Sequence, residues 1–270
     1  MHHIKHIFKF IPWSFLLVIF GILYYQADLL VWALLIGYIA ANFISVIHHL
    51  YWAHQYVIPK NKFIKILIDL IGYISWPSIF LHPKAFWTYS HWYHHKHWGT
   101  NDDFVQIDNN NITMFTQYVI FRPFSLFFKI RNSTNGMKKL KIYMETMSQA
   151  DQHKVTPFID QYYRIITITI HISLMLLLGM KYYFYFVFFT CWMYSMHLAL
   201  FGEYVPHVKR ANDESEKDHP WAFLLAPEYS YHYSHHKYGA LILGPGKWRY
   251  LNLQYYFIKL FYNIQTKTII

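Results

Sequence analysis

Cysteine is nearly missing from this chain. Cys191 is the single one in 270 residues, which excludes an internal disulfide and any cysteine-built zinc or iron–sulfur site. Charge is scarce as well. Asp, Glu, Lys and Arg make up 14% of the residues, where a soluble domain carries roughly a quarter. No G-x-G-x-x-G occurs, so neither a flavin nor a nicotinamide fingerprint is present and redox equivalents would have to come from outside. The first apolar stretch has no small-residue cleavage site and runs on into a second, so no cleavable signal peptide is expected. No linker divides the chain, which reads as a single domain over residues 1–270.

What fills the space is apolar: 55% hydrophobic and 21% aromatic residues, gathered into long runs of the kind that cross a bilayer. Ile7 to Tyr25 is a first candidate span, and Leu29 to Ala53 a second after the polar break Gln26-Ala27-Asp28. Ile165 to Met180 and Tyr182 to Phe201 form a further pair around Lys181. Phe63 to Leu81 is of similar length, but Lys62, Lys65 and Asp69 share one helical face, which predicts an interfacial or re-entrant helix. Ile112 to Ile130, interrupted by Arg122-Pro123, predicts another surface helix. The expected fold is an all-α integral membrane protein with about four transmembrane helices in two hairpins, interfacial helices, and a cytoplasmic cap.

The net charge of +10 would ordinarily suggest nucleic acid. Here the Lys and Arg residues flank apolar segments, where they hold a protein against anionic headgroups, so a membrane and no nucleic acid is the expected partner. Under the two-hairpin topology only Lys181 of the 24 basic residues falls in the opposite loops. The positive-inside rule then places both termini, and the polar cap, on the cytoplasmic side.

Histidine is the residue the chain has in excess, 19 in all. His91-Trp92-Tyr93-His94-His95 and His232-Tyr233-Ser234-His235-His236 both read H-x-x-H-H, and His48, His49 and His54 precede them. Offsets of three and four put three imidazoles on one helical face. Neutral imidazole suits iron, zinc, copper and nickel, and two such faces with a third pair exceed the needs of one ion. The pattern reads as a dinuclear metal site. An ideal helix points rings five or six residues apart well away from each other, so geometry does not choose between His48 and His49 as the partner of His54.

These boxes resemble those of the membrane fatty-acid desaturase superfamily, which surround a di-iron centre, and the likeness runs from about Leu29 to the end of the chain. Three stretches resemble its carotenoid ketolase branch: His91 to Asp103 with its trailing Asp102-Asp103 pair, Phe201-Gly202-Glu203-Tyr204-Val205-Pro206-His207, and Tyr231 to His236. The first box departs from that branch, which opens it with His-Asp and separates its histidines by three residues. The resemblance implies the ligands His49, His54, His91, His94, His95, His207, His232, His235 and His236, with His48 the alternative in the first box. It places Glu203 where many desaturases have an Asn, as a water-mediated ligand or a hydrogen-bond acceptor beside the iron. It implies two non-haem iron ions, O2 as co-substrate, and a ferredoxin- or cytochrome-type carrier as the external electron donor. The implied activity is ketolation or hydroxylation of a carotenoid, in a bacterial inner membrane; the alternative is desaturation or hydroxylation of a fatty-acyl lipid. Asp102 and Asp103 either accept hydrogen bonds from ligand histidines or cap a surface turn. His171 is expected to bond a neighbouring helix, His97 to stand beside the site or be exposed, and His2, His3 and His6 to belong to an interfacial N-terminus.

Overall fold

In the computed structural model of the protein the described residues are 13–76, 83–98, 100, 103, 156–207, 218–239, 244 and 246–265. The surface helix expected over Ile112 to Ile130 and the N-terminal histidines lie outside them. Helix α1 (Trp13–Tyr24) and helix α2 (Ala27–Ser45) follow each other across the break at Gln26. From α2 the chain runs without interruption into a π-helical segment, Val46–Ala53. Strand β1 (Val57–Pro59), helix α3 (Lys62–Ile74) and helix α4 (Pro83–His97) come next. Helix α5 (Pro157–Tyr183) leads through a π-helical turn, Phe184–Phe188, to α6 (Phe189–His197), a second π-helical stretch Leu198–Tyr204, and the short α7 (Val205–His207). The remainder is α8 (Pro227–Ser230), α9 (His232–Tyr238), α10 (Leu253–Phe261) and strand β2 (Tyr262–Ile264), with 3-10 turns at Pro220–Ala222 and Gly246–Leu251.

Among the described residues two continuous helical stretches are long and apolar enough to cross a membrane: Ala27–Ala53, with 27 residues, and Pro157–His207, with 51. A straight helix of the second length would extend roughly 75 Å, more than twice a hydrocarbon layer. It does not run straight. Gly179 takes φ +74° and ψ 155°, a conformation that side chains resist and glycine tolerates, so the chain is broken two residues before Lys181. Tyr185, just past that break, stitches it to the break at Gln26. Its hydroxyl accepts from the Gln26 N–H at 2.7 Å and donates to the Tyr24 carbonyl at 2.9 Å. Both polar breaks therefore sit at the same end of the molecule, with Ala33, Phe184, Tyr185, Phe188 and Phe189 packed around them. The first histidine cluster lies at the opposite end of the continuous stretch Ala27–Ala53.

Helix α3 has 13 residues and rises about 20 Å, short of the hydrocarbon thickness. Asn61 caps its start by accepting from the Ile64 N–H at 2.9 Å. Its last carbonyl, on Ile74, accepts from His171 Nε2 at 3.0 Å. The other His171 nitrogen meets the Tyr183 hydroxyl at 2.8 Å, so His171 is a strut between helices. The face marked by Lys62, Lys65 and Asp69 is not uniformly wet. Asp69 is fully buried, bonded by Lys65 Nζ (3.0 Å), by the backbone and hydroxyl of Thr156 (2.9 Å each), and by Trp52 Nε1 (3.3 Å). It fastens α3 to the start of α5 and to the first π-helical segment.

The one departure from an all-helical architecture among the described residues is a two-stranded antiparallel ribbon. β1 pairs with β2, Val57 opposite Ile264 and Pro59 opposite Tyr262. It ties the end of the chain to the segment that follows the first histidine cluster. The larger core cluster lies beside it, built from Val46, Ile47, Leu50, Trp52, Ile68, Tyr73 and Ile258 among others.

Candidate metal centre

Each histidine cluster reaches the site from a different element, and the local helix type decides which rings meet. In Val46–Ala53 the bonding widens to i→i+5, and the His54 N–H donates to the His49 carbonyl at 3.1 Å. A turn of that width brings residues five apart toward one side, where an α-helix would separate them. His49 and His54 consequently face the same place, their ring centroids 4.8 Å apart. His48 points elsewhere: Nδ1 lies 2.6 Å from the Tyr194 hydroxyl and Nε2 is 2.9 Å from the Gly72 carbonyl. The choice between His48 and His49, open in the sequence, is thus made by the π-helical turn.

All nine histidines that the resemblance implies as ligands come together, in two adjoining groups. His49, His54, His91, His95 and His235 form one, and His94, His207, His232 and His236 the other; within each, the ligand atoms lie within 4.8 Å of one another. The two H-x-x-H-H boxes contribute in a crossed fashion. α4 sends His91 and His95 to the five-histidine group and His94 to the four-histidine group, while α9 sends His232 and His236 to the second and His235 to the first. Offset four keeps two rings on one face, and the residue between them turns toward the neighbouring group. The groups touch where His95 stacks on His236, centroids 4.1 Å apart and planes at 12°.

The contacts run from Nε2 to Nε2. His54 is 2.7 Å from His91, His91 is 3.0 Å from His95, and His54 is 3.0 Å from His235. In the second group the separations are 3.0 Å for His207–His232, 2.8 Å for His232–His236 and 3.2 Å for His94–His236. Two nitrogens each about 2.1 Å from a common ion stand roughly 3.0 Å apart at right angles. The spacing therefore fits imidazoles that share a cation. Burial first, and the neighbouring rings second, hold His54, His91, His95, His232 and His236 well below the usual imidazole pKa. These rings are neutral near pH 7, and a neutral ring keeps a lone pair for a metal. Each group could hold a metal ion.

Behind the ligand atoms stand carboxylates. Nδ1 of His94 is 2.9 Å from both oxygens of the buried Asp103, which puts the proton on Nδ1 and leaves Nε2 as the lone-pair nitrogen. Asp102 lies outside the described residues. Glu203 falls in the backbone of the stretch Leu198–Tyr204, and its side chain is outside the described set. His97 belongs to neither group: its Nδ1 bonds the Tyr93 carbonyl at 2.9 Å. Three residues of the region escape a reading from the boxes. Glu228 is buried with Oε1 3.6 Å from His49 Nδ1, and Trp98 stacks on His236 at 5.2 Å. Asp218 accepts from the backbone N–H of Ser234 at 3.0 Å, fixing the first turn of α9. An acid four positions before His232, in an otherwise uncharged stretch, was the available signal for Glu228.

No protein-family model, no curated protein and no solved structure matches the chain.

Proposed function

We propose that this chain is an integral membrane oxidoreductase of the histidine-box di-iron kind, similar to the membrane fatty-acid desaturase superfamily, which uses O2 to oxidise a lipid-soluble hydrocarbon. The observation that carries the reading is the crossed sharing of two H-x-x-H-H boxes between two adjoining all-imidazole groups. Two iron ions bound there would supply O2 activation for C–H oxidation once electrons arrive. The protein's own part is to keep the imidazoles neutral by burial, to orient His94 through Asp103, and to hold the site at one end of long apolar helices. An apolar substrate would approach from the lipid along those helices, and its position would select the carbon attacked. Electrons would come from a separate ferredoxin- or cytochrome-type carrier, since the chain has no flavin or nicotinamide fingerprint.

In this reading the helices form four spans in two hairpins. The breaks at Gln26 and Gly179 lie on the far side of a bacterial inner membrane, and the histidines face the cytoplasm with the basic residues. The favoured substrate is a carotenoid-like polyene, on the stretches His91 to Asp103 and Phe201 to His207. The unusual first box, without an Asp beside its histidine, keeps a fatty-acyl desaturase or lipid hydroxylase as the second reading.

Expression in cells that already make β-carotene separates the two. A ketone conjugated to the polyene lengthens the chromophore, so the pigment should shift from yellow-orange toward red. A hydroxyl would change chromatographic mobility with little change of colour. Unchanged carotenoids, with O2-dependent new double bonds in the membrane lipids, would instead favour the acyl substrate.

A further inference from the structure

In the four-histidine group His94 stands against the carboxylate of Asp103, at 2.9 Å from both oxygens. In the five-histidine group a buried carboxylate, that of Glu228, lies near His49 at a longer distance. Glu228 in α8 is 5% exposed, and its Oε1 lies 3.6 Å from His49 Nδ1. His49 is itself 1% exposed, and neither of its ring nitrogens has a hydrogen-bond partner among the described residues. With Nδ1 turned to the carboxylate, Nε2 is the nitrogen left for the group.

We propose that Glu228 is the positioning residue of the five-histidine group: it holds the Nδ1 proton of His49 and so presents the Nε2 lone pair to the metal. The proposal rests on the metal reading above. Three observations support it. The carboxylate is fixed from the side, because the Ser45 hydroxyl bonds Oε1 and also lies 3.0 Å from the Tyr229 hydroxyl. Its backbone is fixed too, the Glu228 N–H donating to Gln254 Oε1 at 3.2 Å. Finally, Oε2 is buried without a hydrogen-bond partner among the described residues. A carboxylate is costly to bury half-satisfied, and an imidazole that has given its other lone pair to a cation is a stronger donor that offsets this cost. A carboxylate behind a metal-bound histidine sets its tautomer and raises its basicity. Asp103 would then back an imidazole of one group and Glu228 an imidazole of the other.

The test uses the full chain in detergent, titrated anaerobically with ferrous iron. Two backgrounds isolate the groups: His207→Ala with His232→Ala leaves the five-histidine group, and His54→Ala with His91→Ala leaves the four-histidine group. Glu228→Met, which removes the acceptor but keeps the length, should weaken iron binding about 10- to 100-fold in the first background and leave the second unchanged. Glu228→Gln keeps an acceptor without the charge and should fall between Met and wild type. Asp103→Ala should give the opposite selectivity. A merely structural Glu228 would lower both affinities together with the melting temperature, and that result overturns the proposal. So do equal affinities in all Glu228 variants. If Glu228→Met does not fold, Glu228→Gln against wild type in the first background decides, an unchanged affinity again overturning it. If the unmutated protein binds no iron, the metal reading itself fails, which is a different result from a failure of Glu228.

Discussion

At the scale of single residues, the division of nine histidines into two groups makes the consequences of each substitution specific. His235 and His236 are neighbours in sequence but serve different groups. The wild-type chain should hold about two metal ions. His235→Ala should weaken or empty the five-histidine group and His236→Ala the four-histidine group, each lowering the content toward about one, as metal analysis of the purified proteins would read. Full metal loading at wild-type affinity in both variants would count against the grouping. His97→Ala should leave the content unchanged, because His97 is engaged with the Tyr93 carbonyl outside both groups. His48→Ala makes a sharper contrast. It removes a fully buried bridge between Tyr194 and Gly72, at a cost of roughly 1–3 kcal/mol for each bond lost. The melting temperature should fall while metal stoichiometry stays, and loss of metal from a still-folded His48→Ala protein would mean that His48 takes part in binding.

At the scale of elements, the site depends on α3 pressing against the π-helical segment that carries His49. Gly72 is where they meet. A Cβ at this position would lie 2.6 Å from Cζ2 and Cη2 of Trp52 and 2.9 Å from Ile47 Cγ2. Trp52 is itself buried and bonded to Asp69, so it has little room to give. Gly72→Ala should therefore destabilise by about 1–3 kcal/mol, visible as a drop of several degrees in thermal unfolding. Gly21→Ala is the control: its Cβ would meet nothing within 4 Å, and alanine favours a helix over glycine. A Gly72→Ala protein as stable as wild type would show that the two elements are not packed as described.

For the whole molecule the claim to test is sidedness. The Tyr185 bonds join the breaks at Gln26 and Gly179 at one end, and the first histidine cluster lies at the opposite end of the stretch Ala27–Ala53. With Cys191 replaced, single cysteines at Lys237 and Lys247, both exposed, should react with a membrane-impermeant reagent from the cytoplasmic side only. Cysteines at Asp28 and Lys181 should react from the opposite side only. Labelling of Asp28 and Lys237 from the same face would defeat the two-hairpin topology, while the histidine grouping would survive it.

The apolar runs, the break at Gln26-Ala27-Asp28, the two H-x-x-H-H boxes and the excess of histidine over cysteine were legible in the sequence. So was the helical character of the chain, because hydrophobic length acts within a single element. Three–four spacing marked the rings of each H-x-x-H-H box, and the full set of nine came from the resemblance to the desaturase boxes. What no spacing could decide depends on elements distant in the chain. The choice of His49 over His48 follows from a π-helical turn held against α3, whose Gly72 carbonyl occupies His48. The crossed sharing of the boxes exists only because rings from α4 and α9 meet, as where His95 stacks on His236. Glu228 becomes a neighbour of His49 across 179 residues of chain, and that approach is set by packing. Local chemistry determined which side chains were suited to a metal; tertiary contact alone decided which of them stand in one group.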